Sequence, residues 1–164
     1  MIPHRGAALA ALAALAMVGV SACGGSGSSA SARQTEVEAR GAKVMPFDQK
    51  RTTHVFHATS TGGVQQVIAD DAHDAKQIAL IRAHLRKEAR RFGAGNFTDP
   101  MAIHGMKMPG LDALRRGAAR VSVEYTTISR GARISYITTE PSLVTALHEW
   151  FDAQLMDHGA HAHG

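Results

Sequence analysis

The chain carries one local pattern twice, and that doubling constrains its fold more than any other feature. Residues 51–58 and 64–69 are rich in β-branched and aromatic side chains and flank a Thr61-Gly62-Gly63 break, which reads as a β-hairpin. Asp70 and Asp71 then supply helix-start signals. Over residues 74–92, Ile78, Ile81, Leu85, Ala89 and Phe92 recur on one helical stripe, and Gly93 and Gly95 end it. The second round begins where Val121, Val123 and Tyr125 alternate with Ser122 and Glu124. Arg130-Gly131 turns the chain into a partner strand, and Glu140-Pro141-Ser142 opens a helix with proline in its first turn. Leu143, Leu147, Trp150 and Gln154 line that helix, with Val144 and Phe151 beside them.

Two ββα units predict an α+β fold: an antiparallel four-stranded sheet with two helices on one face. Strands are expected near 51–58, 63–69, 119–127 and 131–138, and helices near 74–92 and 142–156. Between the units, residues 94–118 are too long for a passive connection. They are expected to hold one short helix, over 111–116.

The N-terminus gives an address. Residues 1–5 are basic, residues 7–20 are apolar without a charge, and Val20-Ser21-Ala22 closes the segment before Cys23, the only cysteine of the chain. A basic start, an apolar run and small residues at a cleavage point form an export signal. The run is shorter than the ~20 residues of a spanning helix. A cysteine directly after such a site resembles the lipobox of bacterial lipoproteins. That resemblance implies lipidation of Cys23, removal of residues 1–22 and attachment to the membrane through the N-terminal lipid. Gly24 lacks the aspartate that retains enteric lipoproteins at the inner membrane, so the outer membrane, facing the periplasm, is the expected site.

Residues 23–43 read as a flexible tether, Gly- and Ser-rich at first, residues 44–158 as the domain, and 159–164 as a His-rich tail. With Cys23 acylated no thiol remains, which excludes disulfides, thiolate metal sites and a cysteine nucleophile. The net charge of +4 is modest. Arg82, Arg86, Lys87, Arg90 and Arg91 fall on the outer face of the first helix, where a solvated surface or contact with anionic head groups is expected. An exported location argues against a nucleic-acid partner, and no feature names a protein partner.

Ten histidines in 164 residues make histidine placement the main evidence about chemistry. His84 with Glu88, and His148 with Asp152, put a carboxylate four residues after a histidine, which makes neighbours on a helix. A carboxylate orients imidazole and raises its basicity, as a metal ligand or general base requires. Both pairs also read as ordinary helix-surface contacts. If the linker is extended, His104, Met106 and Met108 share one side, and imidazole with thioether suits Cu(I). His54 and His57 are an odd spacing apart and face opposite sides of a strand. The C-terminal tract from Asp157 to His163 is His-rich, a weak chelator by composition.

No G-x-S-x-G, H-E-x-x-H, phosphate loop or dinucleotide fingerprint is present. The segments Thr52-Thr53-His54-Val55-Phe56, Ile81-Arg82-Ala83-His84-Leu85, Ile103-His104-Gly105 with Met108-Pro109-Gly110, and Ala146-Leu147-His148-Glu149-Trp150-Phe151 through Asp157-His158 resemble a family of small proteobacterial proteins of unknown function. Some members carry an aspartate carbamoyltransferase label, but that enzyme's S-T-R-T-R run is absent here. The expectation is therefore a small ligand-binding domain with copper or zinc at His84, His104, Met108 and His148, Glu88 and Asp152 orienting. The alternatives are a metal-free interaction module of the cell envelope and a small enzyme using a His–carboxylate pair as general base.

Overall fold

The computed structural model describes Met1 and residues 25–164, with side chains from Ser29 onward. The expected signal peptide and Cys23 lie outside the described residues. The fold is α+β. Helix α1 (Gly25–Gly41) precedes strands β1 (Thr52–Thr59) and β2 (Gly62–Ala69), then α2 (Ala75–Gly93). Two short helices, α3 (Thr98–His104) and α4 (Leu111–Gly117), lead to β3 (Ser122–Ile128), β4 (Gly131–Ile137), α5 (Pro141–His158) and a final short strand β5 (Ala162–His163).

Both expected hairpins form, β1 against β2 and β3 against β4, and the antiparallel pair β2–β4 joins them. The sheet runs β3-β4-β2-β1-β5, and β5 lies parallel to β1. It is therefore a five-stranded mixed sheet, not the four-stranded antiparallel one expected. The extra strand comes from the expected tail: Ala162 and His163 pair with His54 and Val55, covering an edge of β1 that would otherwise leave backbone groups unpaired.

Helix α2 packs over β2, β3 and β4, and α5 over β1 and β2. Asp74 caps α2 by accepting from the Gln77 amide at 3.0 Å, and the predicted stripe from Ile78 to Phe92 is the face it buries. Trp150 of α5 stands edge-on to Phe92, Phe97 and Tyr136, with centroids 5.7–5.8 Å apart, at the centre of the core. The basic face of α2 is partly structural. Arg82 donates to the Ile128, Ser129 and Gly131 carbonyls at the β3–β4 turn, and Arg86 lies over the Tyr125 ring.

Two further segments depart from expectation. Residues read as tether form α1, because Val37 is buried and Arg33 reaches Asp157 on α5. The linker holds two helices rather than one. Asn96 accepts from the Thr98 amide and hydroxyl and opens α3, so His104 closes a helix instead of sitting in an extended run. Met106 is exposed and Met108 buried, so the three residues do not form one face.

Candidate functional site

A cavity of about 50 Å³ lies where β1, α2, α3 and α5 meet. His54 of β1 reaches it in phase with Thr52 and Phe56, the buried side of the strand. From α2 come His84 and, one turn on, Glu88. Helix α3 contributes Asp99 and His104, and α5 contributes Trp150, Gln154 and His158. Four histidines and two carboxyl groups from four separate elements therefore converge on one small space.

Three of the rings touch in sequence. His54 stacks on His158 at 4.7 Å between centroids, and His158 meets His104 edge-on at 5.1 Å. His104 Nδ1 is 2.8 Å from Asp157 Oδ2. An ionised carboxylate only accepts, so Nδ1 carries the proton and, in the neutral ring, Nε2 is left as an acceptor. Arg33 fixes the carboxylate from α1: Nε donates to Oδ1 at 2.9 Å, and Nη2 donates to Oδ2 at 2.7 Å and to the His104 carbonyl at 2.6 Å. Burial pulls the Asp157 carboxyl upward, but the hydrogen bonds from His104 and Arg33 outweigh it and hold it well below the usual carboxylate range.

The remaining groups are poorly satisfied. Both ring nitrogens of His54, both oxygens of an ionised Glu88 and Nε1 of Trp150 are buried without a hydrogen-bond partner. Such atoms inside a protein are uncommon and call for an occupant. Burial, helped by the charges of His104, His84 and His161, pushes His54 down to about 4. Burial and Lys87 push His84 down to about 4, and burial holds His158 well below its ordinary value. These three rings are neutral at pH 7, the state a metal ligand requires. Burial, then the neighbouring Asp99 carboxylate, to which a protonated Glu88 donates, raise Glu88 to about 7, with Arg91 and Lys87 opposing. The Arg91 and Lys87 contacts with Glu88 are long, 3.5 and 3.7 Å.

Of the residues nominated from sequence, His84, Glu88 and His104 line this cavity. His148 does not. Its Nε2 lies 3.0 Å from both the Thr59 and Gly62 carbonyls, so it donates to both and pins α5 to the β1–β2 turn. Asp152 is exposed, and Met108 is a core residue outside the cavity. Sequence reasoning missed His54, set aside because it could not chelate with His57, and His158, read only as part of the His-rich C-terminal tract. The phase of His54 with Thr52 and Phe56 was the available signal. Met45, not Met108, is the thioether at the cavity wall.

No family model matches the chain, and neither does any curated protein or solved structure. Among the described residues no group of three or more His, Asp or Glu side chains is already set to hold a metal ion. The imidazoles in contact, one of them backed by a carboxylate, need ring rotation to aim at a common centre.

Proposed function

We propose that this domain binds one transition-metal ion, copper or zinc, with ligands drawn from His54, His104 and His158 and completed by His84 or Glu88 across the cavity. The observation that carries this is His54, whose two ring nitrogens are buried and unpartnered beside three other histidines. The Asp157–His104 pair supports it, since a carboxylate on the distal nitrogen orients a ligating imidazole and raises its basicity. The cavity has room for an ion with a water or two.

Titration of the metal-free protein with zinc, and separately with Cu(I), should saturate at one equivalent. His54→Ala should weaken binding by at least about 100-fold, because a direct ligand contributes no less than its orienting partners do. His163→Ala, on the exposed tail, should leave affinity unchanged. Equal losses in the two variants would move the binding to the tail and end this reading. Deleting the tail is a poor control, because β5 is part of the sheet.

Glu88 keeps a second reading in play. A buried carboxyl raised to about 7 is poised for proton transfer near neutral pH, the role of a general base beside His84. A protein that binds no metal and turns over no substrate would instead be a metal-free interaction module of the cell envelope.

We further propose that the domain is exported and held at a membrane by lipid on Cys23. The lipobox residues Val20, Ser21 and Ala22 support this. Intact-mass measurement of membrane-purified protein should show a diacylglyceryl group on Cys23, and Cys23→Ser should abolish it. An unmodified Cys23 thiol would end the proposal.

A further inference from the structure

A second, larger pocket of about 240 Å³ opens to the surface beside the histidine cavity, under α1. His54 and His158 line both spaces, and Asp157, the partner of His104, lines the outer one. The other walls of the inner cavity are apolar at Phe56, Leu85, Phe92 and Ile103, and polar on the α2–α3 side, where half-buried His84 and Asp99 lie. His161, which is exposed, lines the outer pocket together with His54 and His158. A line of imidazoles therefore runs from solvent to the interior: His161, His158, His54.

The wall over this line is α1, which is lightly held. Among its described side chains Val37 is the one large apolar group it buries. The rest of its grip is polar: the Arg33 pair with Asp157, Gln34 donating to the Met156 carbonyl, and Glu38 paired with Lys50. The Gln34 and Glu38 contacts lie at a solvent-facing seam and exchange readily with water, which leaves the Arg33–Asp157 pair and Val37 as the main fastenings. An element held this way opens locally without unfolding the sheet behind it.

Resting on the metal-binding reading, we propose that the pocket beneath α1 is the port of the site: the ion is taken first by His161 and His158, passes to His54 as the rings rotate, and exchanges when α1 lifts. Transfer from one imidazole to the next is ligand exchange, so no oxidant or reductant is involved.

The test compares full-chain wild type, Arg33→Ala, Val37→Ala and His161→Ala. Zinc release is followed by transfer to a chromogenic chelator. In parallel, carbethoxylation of His54 and His158 in the metal-free proteins is measured by mass spectrometry, with the exposed His57 as internal reference. Arg33→Ala and Val37→Ala should each speed zinc release and histidine modification, Arg33→Ala by at least about tenfold, since it removes two charge-assisted hydrogen bonds to Asp157. His161→Ala should slow uptake and release by a similar factor and leave the equilibrium affinity unchanged, because His161 is on the path and not in the final site. Acceleration by Arg33→Ala alone would mean that Arg33 acts only through Asp157 and His104, and would overturn the port. Unchanged modification of His54 and His158 in both α1 variants would overturn it as well. If wild type retains no zinc, the metal reading falls, and the modification rates alone decide whether α1 gates the histidines.

Discussion

Metal-free protein should lose most of its stability between pH 6.5 and pH 4. His54 and His84 sit near 4 in the fold against 6.5 for an ordinary histidine, and His158 also lies well below that value. A group whose folded pKa is depressed lets the unfolded chain take protons first. Stability is then full above pH 6.5 and is lost as pH falls toward the folded value. A shift of this size corresponds to roughly 3 kcal/mol per buried histidine. Glu88 has the opposite sign: raised to about 7 from 4.5, it contributes fully below 4.5 and loses that contribution as pH rises through 7. It therefore offsets roughly one histidine. Asp157, held low by His104 and Arg33, keeps its contribution until pH falls below the usual carboxylate range. Lys87 and Arg91 remain charged and oppose protonation of His84, while Asp99 favours it. His54 and His84 together outweigh Glu88 by roughly 3 kcal/mol, and His158 adds to the loss in the same direction, which is a large share of the stability of many domains. Thermal unfolding followed by circular dichroism from pH 7.5 to pH 4 should show a steep fall in Tm. His54→Phe, which keeps an aromatic ring and removes one of the titrating groups, should flatten the curve. A Tm that is level from pH 7 to pH 4.5 would mean the histidines are not held neutral by burial.

The same cluster shows what a sequence can and cannot disclose. The stripe on α2 and the alternation in β3 were legible because burial on one face imposes a local period. The contacts that complete the site have no local signature. Arg33 and Asp157 are 124 residues apart, and helix α1 opens with Gly and Ser, whose intrinsic helix tendency is low. Its docking is a tertiary effect. Strand β5 is two residues long, too short to show a period. His84 and His148 looked equivalent because each precedes an acid by four positions. The two helices share only β2 beneath them, however, and His84 faces the cavity while His148 faces the β1–β2 turn. Matching spacing on two helices predicts matching neighbours within each helix and nothing about where either points.

Gly110→Ala should be among the most damaging single substitutions in the chain, at ~2–5 kcal/mol. Gly110 precedes α4 with φ +70°, a left-handed conformation that costs a side-chain-bearing residue about 1–2 kcal/mol. A Cβ there would also overlap the Ala146 carbonyl oxygen, backbone in the middle of α5 that cannot yield as a side-chain tip can. Forcing atoms into a packed seam adds about 1–3 kcal/mol more. Gly105 is the matched control. It shares a positive φ of +94°, yet nothing lies within 4 Å of the point its Cβ would occupy, so Gly105→Ala should cost only the conformational part, about 1–3 kcal/mol. Chemical denaturation of the two variants should separate them by roughly the overpacking contribution, and Tm should drop by about 10 °C or more for Gly110→Ala. Equal losses would show that close approach to Ala146 does not hold the linker in place. The comparison bears on the site, because residues 105–110 connect α3, which ends at His104, to α4, which packs on α5. A linker pushed off α5 at Gly110 would pull His104 away from Asp157, so Gly110→Ala should weaken zinc binding alongside stability, a coupling not expected at exposed positions such as His163.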